Sequence, residues 1–72
     1  MNKISEAIKN VIPDTWTHED NINFLALRFQ LKLAGINWKS EEHLASLLSD
    51  YTKKGIIEVK QEGGIAYMRA RQ

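Results

Sequence analysis

The stretch Ser40–Arg71, SEEHLASLLSDYTKKGIIEVKQEGGIAYMRAR, decides the fold. Leu44, Leu48 and Tyr51 recur at helical spacing with Leu47 at the edge of the stripe, so the spacing predicts a helix with one buried side. Ser40 is placed to accept a hydrogen bond from a first-turn amide, and Glu41 and Glu42 stand where the helix dipole favours negative charge. Lys53 and Lys54 fall in the last turn, where cations are favoured, and Gly55 can take the left-handed conformation that ends a helix. Beyond it, residues 56–60 and 65–71 suit half-buried strands, and the short link Gln61-Glu62-Gly63-Gly64 pairs them as an antiparallel hairpin. In the second strand Ala66, Met68 and Ala70 share one face and Tyr67, Arg69 and Arg71 the other, where the arginines are expected to face water or a polyanion.

Upstream, Gly35-Ile36-Asn37-Trp38-Lys39 forms the turn into this helix, and Trp38 is expected to plug the edge of the core because its indole carries a large apolar area. Residues 21–34 read as an unusually apolar second helix. Ile22, Leu25, Ala26, Phe29 and Leu33 line one side, Phe24, Leu27, Leu31 and Ala34 an adjacent one, and only a narrow strip with Arg28 and Lys32 stays polar. Such a helix is either the central helix of the domain or part of a homodimer interface. Thr17-His18-Glu19-Asp20 offers a capping-box-like start for it, stapled by Trp16, with Asp20 an equal alternative cap. Residues 14–21 read as a connector. Ile4, Ala7, Ile8, Val11 and Ile12 predict an amphipathic first helix, with Asn2 as its cap and Pro13-Asp14 as its end.

At 72 residues the chain reads as a single small domain over 1–72, near the lower size at which one core suffices without disulfides or metal. It contains no cysteine, which rules out disulfides, thiolate zinc sites and cysteine nucleophiles. Charges interrupt residues 1–14, MNKISEAIKNVIPD, and no segment approaches membrane-spanning length, so the expected setting is the cytoplasm. Formal net charge is only +1, but its distribution is uneven. Positive charge gathers on the second helix and the hairpin, while the third helix opens with two glutamates.

A helix that ends Leu-x-x-Tyr-x-x-x-Gly-Ile-Ile and leads into a glycine-tipped hairpin resembles the third helix and wing of the winged helix-turn-helix family. The family's run Ser-x-x-Thr-Val-Ser-x-x-Leu-x-x-Leu-x-x-x-Gly-Leu-Val lines up without gaps on Ser40, His43, Leu44, Ala45, Leu48, Tyr51, Gly55, Ile56 and Ile57 in spacing and residue class. The likeness covers the C-terminal half well and the preceding helix loosely; the turn at residues 35–39 is longer than the family's usual Gly-Val-Ser. It implies an α+β fold of three helices followed by a C-terminal β-hairpin wing, and a small DNA-binding regulator of transcription. The third helix would enter the major groove of double-stranded DNA with the wing on the backbone. Carried onto this chain, the groove-facing residues are Ser40, Glu42, His43, Ser46 and Asp50, preceded by Lys39. The wing contacts are Lys60, Gln61, Arg69 and Arg71, and Arg28 and Lys32 reach flanking phosphates. The acidic start of the third helix keeps open an alternative in which a winged helix recognises a protein partner.

Catalysis is not expected. His18 and His43 lie apart without a matching ligand set, Glu41-Glu42 and Glu19-Asp20 suit the helix dipole, and Gly63-Gly64 opens no helix and cradles no phosphate. No cofactor or metal site is expected.

Overall fold

The computed structural model describes residues 2–71. Three helices, α1 (Lys3–Lys9), α2 (Phe24–Leu33) and α3 (Glu41–Lys53), accompany three strands, β1 (Thr17–His18), β2 (Ile57–Glu62) and β3 (Ile65–Ala70), and a 3-10 turn over Glu19–Asn21. The expected α+β layout of three helices and a C-terminal hairpin is present, with one addition. Thr17 pairs with Met68 and His18 with Tyr67, so the segment read as a connector contributes a strand, and the antiparallel sheet runs β1-β3-β2.

The helix ends follow from local chemistry. Asn2 Oδ1 accepts from the Ile4 N–H at 2.9 Å and caps α1, while Ser40 Oγ accepts from the His43 N–H at 3.1 Å and caps α3. At the far end of α3, Gly55 has φ 77°; its N–H donates to the Thr52 carbonyl at 3.1 Å and the Ile56 N–H to the Tyr51 carbonyl at 2.9 Å. These two bonds satisfy carbonyls that the helix leaves open. The same closure ends α2, through Gly35 at φ 91° and the Ile36 N–H on the Leu31 carbonyl at 2.8 Å.

The start of α2 differs from the sequence reading. Residues 17–20 do not box the helix: His18 Nδ1 accepts from the Asp20 N–H at 2.9 Å and caps the 3-10 turn, and Asn23 Oδ1 caps α2 through the Ala26 N–H at 3.0 Å. Because that bond uses the Nδ1 lone pair, the Asp20 carboxylate 3.8 Å away is a neighbour of His18 rather than its ion partner. The first helix is also shorter than its apolar pattern. It caps at Asn10, yet Ile12 beyond it is fully buried, so the tail of the stripe packs as a turn.

The core gathers Ala7, Ile8 and Ile12, Ile22, Leu27 and Leu31, Trp38, Tyr51, Ile57 and Ala70. Leu44, Leu47, Leu48 and Met68 pack half-buried against it. The helical layer therefore covers the sheet face carrying Ile57, Met68 and Ala70, and α2 sends only Leu27 and Leu31 fully inward. Its other apolar side stays in solvent: Leu25 is 75% exposed, Phe29 61% and Leu33 68%. In the hairpin, Glu62 pairs with Ile65 and both Gly63 and Gly64 have positive φ, so the turn is two residues and tighter than the four-residue link suggested.

Candidate nucleic-acid interface

The outward side of α3 carries Glu42, Ser46, Ser49 and Asp50, all exposed, with short side chains at its centre. At its amino end the chain is held firmly. The Lys39 N–H donates to His43 Nδ1 at 3.2 Å while Ser40 receives the His43 amide, so His43 is half-buried and works as a clasp on the helix start. This leaves the Nε2 edge of its ring as the part available to a ligand.

Beside this end, Trp38 is buried at 8% exposure, as its size suggested, and the Arg28 guanidinium lies 6.0 Å from its ring centroid. Arg28, Lys39, Ser40 and Glu41 share the walls of a cleft of about 280 Å³. Arg28, expected on a flanking phosphate, and Lys39, expected just ahead of the groove-facing residues, are thus brought together at the start of α3, with one carboxylate among them. Lys32 lies a turn further along α2, exposed.

The hairpin distributes its cations differently from the sequence reading. By strand alternation, Lys60 and Arg69 share the sheet's outer face with Tyr67 and Glu58, whereas Gln61 belongs to the opposite face beside Ala66. Arg69 does not simply face water: it is half-buried, its Nε donates to Glu58 Oε1 at 2.8 Å, and its guanidinium carbon lies 4.3 Å from the Trp16 ring centroid. Lys60 lies 4.6 Å from the same ring and 3.4 Å from Glu62. Trp16 therefore does not staple α2; it lies over the outer face of the sheet, with His18 edge-on to Tyr67 at 5.7 Å. The sequence signal for this cluster was the alternation that put Tyr67 and Arg69 together, but the aromatic laid over them comes from some fifty residues upstream and no local pattern announces it.

Arg71 extends the chain past β3. Its N–H donates to the Ile56 carbonyl at 2.9 Å, and its side chain runs beside Gly55, where a methyl group would come within 3.8 Å of Nη1. It makes no side-chain ion pair among the described residues. The site residues are thus dispersed: Arg28, Lys39, Ser40 and His43 stand at the amino end of α3 and Arg71 at its carboxyl end, Lys60 and Arg69 lie on the outer sheet face and Gln61 on the opposite one, Glu42 and Ser46 lie on the outer side of α3, and Lys32 on α2.

A second hollow, about 340 Å³, has Phe24, Leu44, Leu48 and Met68 in its lining and Glu19 and Glu41 at its rim. Glu19 belongs to the 3-10 turn and Glu41 to the first turn of α3. No group of three or more histidine, cysteine or acidic residues able to hold a metal ion occurs among the described residues. Nor is any described helix long and apolar enough to cross a membrane. Comparison of the chain with protein-family models, with curated proteins and with solved structures gives no match.

Proposed function

We propose that this chain is a non-enzymatic, cytoplasmic DNA-binding protein of the winged-helix kind, a regulator of transcription that lays α3 in the major groove. The observation that carries this reading is the uncovered outer face of α3, short-chained at Ser46 and Ser49, beside the cations Arg28 and Lys39. A helix of 13 residues is roughly 20 Å long and fits a groove about 12 Å wide. Small side chains let its backbone approach base edges, and Glu42 can accept a hydrogen bond from cytosine N4. Arg28, Lys32, Lys39 and Arg71 supply the phosphate term by releasing counterions. Lys60 and Arg69 add less than a bare count suggests, because a phosphate must compete with Glu62 and Glu58 for them.

The test is selection of bound duplexes from a random DNA pool, followed by titration of the winners by fluorescence anisotropy at several salt concentrations. Enrichment of a common sequence is expected, with Arg28→Ala and Lys39→Ala each flattening the log–log salt slope by about 1. No enrichment, and no binding at low salt with protein at high micromolar concentration, would end the proposal.

The hollow rimmed by Glu19 and Glu41 favours one second reading, in which a basic amphipathic peptide of a protein partner places apolar side chains on Phe24, Leu48 and Met68. Glu41→Lys separates the two, since it should strengthen DNA binding and abolish capture of such a peptide.

A further inference from the structure

His43 is held by two hydrogen bonds that do more than fasten the start of α3. Its N–H donates to Ser40 Oγ at 3.1 Å, and its ring Nδ1 accepts the Lys39 N–H at 3.2 Å. A neutral imidazole carries one ring proton, and the nitrogen that accepts a hydrogen bond is not the one that holds it. The proton of His43 is therefore on Nε2, which makes that atom a donor. Tyr51 Oη is the only buried side-chain nitrogen or oxygen without a partner among the described residues. Nε2 of His43 has no partner among them either, so it lies open to solvent.

Successive helical residues turn by about 100°, which sets His43 next to Glu42 and roughly 60° round from Ser46, on the margin of the outer face of α3. Glu42 is exposed, and an ionised carboxylate only accepts. Two neighbours at the amino end of the helix thus offer opposite hydrogen-bonding characters, an acceptor on Glu42 and a donor on His43. The Lys39 bond fixes the second of these before any ligand arrives. The ring cannot turn over to offer an acceptor without giving up that bond.

We infer that Glu42 and His43 together read one C·G base pair, with His43 as the guanine-specific residue. Guanine presents O6 and N7 side by side in the major groove, two acceptors for the Nε2 proton. Adenine sets an amino donor beside its N7, and thymine a methyl group beside its O4, so each offers a lone donor less. The N4 amino group of the paired cytosine supplies the donor that Glu42 needs. Guanine under Glu42 would instead face acceptor with acceptor, which fixes the orientation of the pair as well as its identity. The inference rests on the DNA reading for its ligand and on the clasp at His43 for its chemistry.

Two measurements test it. Proton–nitrogen NMR correlation of the imidazole rings at neutral pH, with no DNA present, is expected to show His43 protonated at Nε2; a proton on Nδ1 would overturn the inference. Selection of bound duplexes from a random pool is then run in parallel on the parent, His43→Asn and His43→Gln, with circular dichroism confirming that each is folded. Asparagine keeps an acceptor near the Nδ1 position, and with it the clasp, but places no donor out at Nε2. Glutamine places a donor near Nε2 and gives up the clasp. The parent is expected to favour guanine by about tenfold at one position. His43→Asn should lose that preference and keep the salt slope, and His43→Gln should keep the preference at lower affinity. If the parent and His43→Asn select the same guanine equally strongly, this inference fails while the DNA reading stands. A parent that selects no sequence and binds no duplex ends both.

Discussion

Tyr51 sits on the core side of α3 at 2% exposure, and its hydroxyl is buried without a hydrogen-bond partner among the described residues. In the unfolded chain that hydroxyl is hydrated, so folding strips it of water and returns nothing. An uncompensated buried hydroxyl costs about 1–3 kcal/mol. Tyr51→Phe removes the cost and keeps the ring that fills the space, leaving a gap of one oxygen atom that takes back part of the gain. A net stabilisation of about 1 kcal/mol is expected, which for a domain of this size raises Tm by roughly 4–8 °C.

The same burial raises the phenol's pKa above its usual 10.0, with the Asp50 carboxylate adding to the shift in the same direction. A raised folded-state pKa means that the folded form holds its proton more tightly than the unfolded form. Its contribution to stability is therefore complete below about pH 10 and is lost as pH rises from there through the folded-state value. Urea titrations of parent and Tyr51→Phe at pH 7 and in steps above pH 9, followed by circular dichroism, give both quantities. The variant should be the more stable at pH 7 and should lose less stability in the alkaline steps. If Tyr51→Phe is destabilised by 1 kcal/mol or more at pH 7, the hydroxyl has a partner and the reasoning fails.

Other expectations concern the fold. Asn23→Ala should cost about 1 kcal/mol in a thermal melt by removing the cap of α2, whereas Asp20→Ala should leave that helix intact; the reverse ranking would restore the capping box read from the sequence. Leu31→Ala, at a fully buried position, should cost about 2–5 kcal/mol and leave much of the protein unfolded at 37 °C, as measured by urea titration. Gly63→Asn should be neutral or stabilising by a few tenths of a kcal/mol, because asparagine suits the first position of a turn with two positive φ values, while Gly63→Val should destabilise it by more than 1 kcal/mol.

What could be read from the chain and what could not divide along the range of the interactions. The ends of α3 were legible because Ser40, Gly55 and the residues they bond lie within five positions of one another. The hairpin was legible for the same reason, through the glycines between its strands, although Gln61 and Glu62, read as part of the link, pair with Ala66 and Ile65. Thr17 and His18 gave no such sign: two residues make too short a run for alternation, and their partners stand about fifty positions away. Of residues 17–20 it is His18 that caps a helical turn, the 3-10 turn that follows the strand instead of α2, while the Thr17 hydroxyl donates to the Thr15 carbonyl. For the site, residue types identified the cations but not their company. Glu58 and Trp16 take up Arg69, and only the register of the sheet reveals it. The composition of α2 announced an apolar excess, and the packing decided which half of it faces outward.

The position of β3 between β1 and β2 has a further consequence for how this chain acquires its shape. Neither outer strand bonds to the other, and the Ala70 N–H also reaches back to the Pro13 carbonyl at 2.8 Å. Until residues 65–70 arrive, the segment after Pro13 and the strand after Gly55 have nothing to zip onto. Assembly of the sheet is thus a single closing step, made by the strand that comes last. A chain stopped before Ile65 would lose every rung of the ladder at once, instead of shedding one edge.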